Sequence, residues 1–549
     1  MRRNKRALIS AAFAGLTYLV MLAQPLFDTA IDNYGAALEI AGCYGADRVF
    51  VHISPSYCRL LGWISDLLPR ASAFMLVERA IVLIAMFALS YLILERAKSA
   101  LGAAVLHAAL AGACGLMHLY NANYTIWTAF FMAVGWLLLA SVQRSEEKMR
   151  GRRIAGYAFI AAGCALRIQA VIMILPFMLL DMGLRAWDGR KDGLGARIKR
   201  LACLILPALI LAAAAGAEIY CTYIRGDYRE EYAYNSARIA VVDYPMKDYS
   251  EIENPSFSAN DYDCLNRWIL MDTEIVTREY LNSVRAIAGE RTSLTPRAIY
   301  AEIRNMLSET NDHIPLFAFT ALLAVYLLTR KGAAQKLRAA LSVLGAGIIL
   351  LYLLRQGRLP SRVVYCLCIG VLGNVFAAAL LDSPEGNKVM SVLSAIMAVV
   401  VLLSAGWVAV RDAGALQSAF SARSIAADGE KDETVYIWDP VYAMDSPLMA
   451  PYAQNPAMLP GADVFDHHLM MGDVSYGQKA FYDQLNRMGI RNPMRALLER
   501  ENTFVAGGEE NAARVLTWLR EHYDASAQME AVGSYGGATV WRYRTGEGT

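Results

Sequence analysis

MRRNKRALISAAFAGLTYLVMLAQPLFDTAIDNYGAALEI (1–40) sets the architecture of this chain. Arg2, Arg3, Lys5 and Arg6 precede an apolar run over 7–26. Such a run is long enough to cross about 30 Å of hydrocarbon. No small-residue cleavage site follows it. The next residues are Gln24, Pro25, Leu26, Phe27 and Asp28, so the segment reads as a retained signal anchor. Basic residues before a first span hold that end on the cytoplasmic side. Asp28 and Asp32 then emerge just beyond the span, on the opposite side of the membrane.

The same pattern recurs along the chain. Apolar runs at 73–94, 99–118, 121–142, 154–166, 169–185, 201–223, 313–329, 339–354, 363–382 and 389–410 bring the predicted spans to eleven. The runs 154–166 and 169–185 are short and are split by Arg167, which predicts two partial helices. Hydrophobic residues make up 56% of the 549 positions and charged residues 19%. A soluble chain carries about a quarter charged residues. The net charge of +2 is distributed over short loops without a large basic face, which argues against a nucleic-acid partner.

Lys and Arg in short loops orient the bundle. With the N-terminus inside, 95–99, 143–153, 185–200 (Arg190, Lys191, Arg197, Lys199, Arg200) and 330–338 fall on the cytoplasmic side. An odd number of spans puts the C-terminus outside. Reporter fusions at Gly195 and Gly429 are expected to report opposite sides; the same side for both would overturn the eleven-span topology. Three large segments fall outside: 27–72, 224–312 and 411–549. The expected fold is therefore a polytopic α-helical membrane domain, 1–410, with a small extracytoplasmic α/β domain, 411–549. In the tail, 434–438 and 538–543 have strand composition, and 476–490 and 510–523 have helical spacing, with Gly489 near the end of the first.

Charged residues at the outer face are the candidates for chemistry. Asp28 and Asp32 lie one helical turn apart beside apolar walls. A carboxylate there can act as a general base, or it can cap a helix N-terminus. The stretches 34–42 and 55–68 are weakly amphipathic and suit a membrane surface. Loop 355–362, RQGRLPSR, breaks the positive-inside pattern with Arg355, Arg358 and Arg362. Guanidinium forks match phosphate oxygens; snorkelling to headgroups is the other reading. Glu78, Arg79, Arg167 and Glu218 fall in the outer half of the bundle, where charges usually face a cavity or one another. Segment 230–245, EEYAYNSARIAVVDYP, carries Arg238 and Asp243, and 258–272, SANDYDCLNRWILMD, adds aromatics and acids. Both have the composition of a sugar site and equally of a folded external loop. His467 and His468 in DVFDHHLMMGD (463–473) could belong to a metal site, although adjacent histidines are poorly placed for one ion. Cys43 and Cys58 share the first external loop and could form a disulfide. No phosphate-binding loop, nucleophile elbow, H-E-x-x-H or dinucleotide fingerprint is present.

The order of these features resembles the GT-C superfamily of membrane glycosyltransferases, in particular a bacterial branch of it. The likeness is carried by FDTAIDNY (27–34), GCYGADRVFVH (42–52), NANYTIWTAFFMAVGWLLL (121–139), LRIQAVIMILPF (166–177), YNSARIAVVDYP, NDYDCLNRWILMD and LLRQGRLPSRV. It implies a plasma-membrane enzyme that takes a sugar from a polyprenyl-phosphate carrier and passes it to an extracytoplasmic glycan, lipid or protein acceptor with inversion. The superfamily's acidic pair falls on Asp32 and Asn33. Asn33 departs from that pattern, so the resemblance points to Asp32 as base with Asp28 in reserve. It implies no organic cofactor and leaves a divalent metal open. Two other classes fit part of the pattern: a transporter or flippase of a lipid-linked saccharide, and a surface-polysaccharide polymerase or ligase.

Overall fold

The computed structural model describes residues 3–22, 30–142, 150–188, 193–289, 295–301, 333–356, 359–381, 395–407 and 434–546. Residues 304, 323 and 392 are also described; 98, 117–118, 121, 245, 254, 298, 397, 401, 452–454, 456 and 474 are not. Asp28, Arg358, the predicted span 313–329 and much of 389–410 lie outside the described residues.

The apolar runs form α1 (Arg3–Leu22), α4 (Ala73–Arg96), α5 (Ala100–Leu116), α6 (Tyr124–Val142), α7 (Arg150–Leu166), α8 (Ile168–Asp188), α9 (Leu194–Ile219), α13 (Ala333–Arg355) and α14 (Ser361–Leu381). Between α1 and α4 lie the shorter α2 (Ala30–Ala41) and α3 (Pro55–Leu67). Among the described residues, five helical stretches are long and apolar enough to cross a membrane. Arg167 alone separates α7 from α8. Both helices run further than their apolar cores, to Arg150 and Asp188, because helical hydrogen bonding continues through the charged ends. At 1.5 Å per residue they span about 25 and 31 Å, more than the partial helices expected.

Helix α6 is the axis of the bundle. Every one of its residues is buried, with α4, α7, α8 and α14 packed around it. Its closest neighbour is α7, where a Cβ on Gly135 would lie 2.6 Å from the Gly156 carbonyl oxygen. Small residues let two backbones meet where lipid-like surroundings give no hydrophobic drive for association.

The C-terminal residues form a five-stranded sheet of order β2-β1-β3-β5-β4. Its strands are β1 (Val435–Trp438), β2 (His468–Met470), β3 (Thr503–Gly507), β4 (Gln528–Tyr535) and β5 (Ala538–Arg544). β1 is parallel to β2 and β3, and β5 is antiparallel to β3 and β4. The strands expected at 434–438 and 538–543 are β1 and β5. The helix expected over 476–490 is confined to Lys479–Arg487, because Gly489 takes the left-handed φ of +66° that closes it.

Helices α10 (Arg229–Val242), α11 (Ala259–Asn266) and α12 (Arg278–Ala288) come from the second long segment, yet they share one apolar core with this sheet. Leu265, Leu270, Met271, Leu281 and Val284 pack with Ile437, Leu469, Val505 and Trp518, the last on α15 (Glu509–His522). The Leu270 N–H donates to the Met471 carbonyl at 3.1 Å. Two stretches that read as separate in sequence therefore fold together. The possible Cys43–Cys58 bridge is not formed: both thiols are free, and Cys58 is buried on α3 itself.

Candidate active site

The site forms where the start of α2 meets the start of α6. Asn123 precedes α6, and its side-chain carbonyl accepts the Thr125 N–H at 2.9 Å, a capping contact. Asn33 locks the two segments together. Its amide nitrogen donates to the Ala122 carbonyl at 2.7 Å, and its amide oxygen accepts the Tyr124 N–H at 3.0 Å. A carboxylate could accept the second bond but could not make the first. Asn33 is 1% exposed, so an acid here would face a carbonyl in a buried setting. The departure from the paired-acid pattern thus has a structural use.

Asp32 sits in the first turn of α2, where a carboxylate is favoured by the helix dipole. Asn123 Nδ2 donates to its Oδ2 at 3.2 Å. Arg362, in the first turn of α14, places NH1 3.2 Å from the same oxygen, with the two side chains 15% and 23% exposed. Arg167 donates to Thr125 Oγ1 at 3.0 Å and lies 5.0 Å from the centre of the Tyr124 ring. Three of the sequence-predicted residues, Asp32, Arg167 and Arg362, therefore gather at one end of the enclosed helix α6.

Arg238 lies beside this cluster, wholly buried on α10. It donates NH1 to the Asp473 carbonyl at 3.2 Å, donates NH2 to Asn235 Oδ1, and stacks 5.2 Å from the centre of the Trp268 ring. Burial pushes its guanidinium below the usual arginine range, against the opposing fields of Asp243, Asp473 and Asp32. Trp268 is the one described non-glycine residue with positive φ, +61°. That conformation costs about 1–3 kcal/mol and persists where surrounding structure imposes it. Asp243 caps the end of α10.

Most of the other candidate residues have partners of their own. Arg355 ends α13 and is exposed. Glu78 accepts from the Tyr57 hydroxyl at 2.6 Å, and Arg79 Nε donates to the Tyr120 carbonyl at 3.1 Å. Glu218 accepts the Ser56 N–H at 2.7 Å, and also the Ser54 and Ser56 hydroxyls, at the start of α3. That is a capping role. His467 and His468 also serve the scaffold, His467 against the Thr434 carbonyl and His468 accepting from Trp438 Nε1 at 3.0 Å.

Sequence reasoning passed over a joint of acids between α2, α10 and the C-terminal unit. Glu39 is 2% exposed, and burial together with Glu231, Asp473 and Asp47 raises it well above the carboxylate range. Burial and the field of Asp47 push Glu231 up to about 7. Tyr44 donates to Asp473 Oδ2 at 2.7 Å and Tyr228 to Asp47 Oδ1 at 2.8 Å. The signal existed only as scattered acids far apart in sequence.

Among the described residues, the donor set around Asp32 does not suit a divalent cation. One carboxylate oxygen faces a guanidinium and an amide N–H₂, and the Asn33 oxygen is taken by the Tyr124 N–H. A dication here would meet the fixed positive charge of Arg362.

No family model matches the chain, and no curated protein matches it. Among solved structures it is similar to ArnT from Cupriavidus metallidurans bound to undecaprenyl phosphate, with 13% identity, 98% of each chain covered and a TM-score of 0.36. It is similar also to the apo state of that ArnT, with 13% identity, 97% of each chain covered and a TM-score of 0.38.

Proposed function

We propose that this chain is a membrane glycosyltransferase that moves a hexosyl or pentosyl group from polyprenyl phosphate to a hydroxyl of an extracytoplasmic acceptor. The observation that carries this reading is the 3.2 Å pairing of Asp32 with Arg362 at the capped start of α6. A displacement at an anomeric carbon needs a base on the incoming oxygen and a cation on the outgoing phosphate, within one substrate of each other. Asp32 and Arg362 supply those two groups, and the donor phosphate draws Arg362 off Asp32 so that the sugar lies between them. Asp32 takes the acceptor proton as the acceptor oxygen bonds to the anomeric carbon. The bond from that carbon to the phosphate oxygen breaks, and its electron pair leaves with the polyprenyl phosphate. Backside attack inverts the centre. Arg362, with Arg167 and Arg238 nearby, stabilises the phosphate charge, the kind of electrostatic contribution that usually weighs most.

In detergent, the chain should release polyprenyl phosphate from a radiolabelled polyprenyl-phosphate sugar and label a washed envelope fraction as acceptor. Arg362→Ala should lower that rate by about 10²-fold, as loss of one preorganised charge-stabilising donor does. Unchanged donor consumption by Arg362→Ala would contradict the phosphate assignment.

A further inference from the structure

We propose that Asn123 is a positioning residue for Asp32, fixing which carboxylate oxygen receives the proton; this rests on the transferase reading above. Asn123 is wholly buried. Its Oδ1 is held by the Thr125 N–H at 2.9 Å, which assigns the amide orientation, so its Nδ2 must face Asp32. That nitrogen meets Oδ2 at 3.2 Å, the same oxygen that Arg362 approaches. Among the described residues no hydrogen bond reaches Oδ1.

The carboxylate is thereby made asymmetric. Oδ2 is occupied by two donors from two different segments, and among the described residues Oδ1 keeps its lone pairs. Two further contacts stiffen the arrangement. Asn33, next to Asp32, grips Ala122 and Tyr124 on either side of Asn123, and Arg167 holds Thr125 Oγ1 at 3.0 Å. The segment 122–125 therefore sets the side-chain torsion of Asp32 through one amide. Displacing a reacting group by about 1 Å can cost about 10²-fold in rate without changing substrate binding.

Asn123→Ser separates positioning from folding. Serine still caps α6, but its hydroxyl is too short to reach Asp32. The expected result, in the polyprenyl-phosphate sugar assay, is a kcat lowered by about 10-fold or more with KM for the donor within twofold of wild type and an unchanged melting temperature. Asn123→Thr, which also caps and fills more of the space, should behave alike and stands in if the serine variant fails to insert. A kcat within twofold of wild type in the folded variant, with Asp32→Asn inactive, would overturn the positioning role and leave the transferase reading in place. Full activity of Asp32→Asn would overturn that reading itself, and this inference with it.

Discussion

Asp32→Asn should insert and fold as the wild type does while losing about 10²–10⁴-fold in sugar transfer, the range for removal of a general base. The substitution is nearly isosteric. Asparagine at position 32 can still accept the Asn123 Nδ2–H on its amide oxygen, now held at 3.2 Å from Oδ2, so the packing of α2 on α6 survives. What disappears is the negative charge and the proton-accepting oxygen, which no hydrogen bond reaches among the described residues. The charge on Arg362 then loses its partner at 3.2 Å. Both side chains are partly open to solvent, so this loss costs little stability. The phenotype is therefore expected in kcat, with protein level and melting temperature near wild type. An Asp32→Asn chain that is inactive only because it is absent from the membrane would not count as support; equal insertion, measured on the same membranes, is part of the expected result.

The second large effect concerns stability. Asp272 is 1% exposed and joins the α11–α12 segment to the C-terminal unit. Its Oδ1 accepts Asn492 Nδ2 at 2.9 Å and the Glu274 and Ile275 N–H groups at 3.0 Å each. Its Oδ2 accepts Trp518 Nε1 at 2.9 Å and the Tyr523 hydroxyl at 2.7 Å. Asp272→Ala leaves the indole, amide and phenol donors without their acceptor. Each buried unsatisfied group costs about 1–3 kcal/mol, part of which entering water recovers. A loss of about 3–5 kcal/mol is expected, in line with breaking a buried charged network. Denaturant unfolding of the detergent-solubilised chain, followed by tryptophan fluorescence, measures it. A loss below about 1 kcal/mol would mean that the two segments are held together by apolar packing alone.

The bundle was legible because its signal is local. Runs such as 73–94 and 121–142 announce themselves in any window of their own length. Arg167 and Arg362 were legible for the opposite reason, as charges at the margins of apolar runs. The contacts that turn these residues into a site are long-range. Asn33 reaches Ala122 across 89 positions, and Asp32 meets Asn123 across 91. Nothing in Asn121-Ala122-Asn123 distinguishes a site from a loop, although an Asn just before an apolar run is a readable cap. The sheet was half visible for a similar reason. β1 and β5 have strand composition, whereas β2 is a three-residue strand inside DVFDHHLMMGD that pairs only because β1 lies beside it. The union of α10–α12 with that sheet had no local sign at all. Asp272 finds Trp518 across 246 positions.

The claim at the centre of this account is that the acids opening the first external segment perform chemistry. Asp28→Asn and Asp32→Asn, combined in one chain, test it most directly, since Asp28 is the one acid close enough in sequence to substitute as base. Transfer of label from a polyprenyl-phosphate sugar into an envelope fraction is measured with membranes carrying equal amounts of wild-type and doubly substituted chain. Label is expected to be transferred by the wild type and not above background by the double variant; equal transfer by both would mean that these acids perform no chemistry.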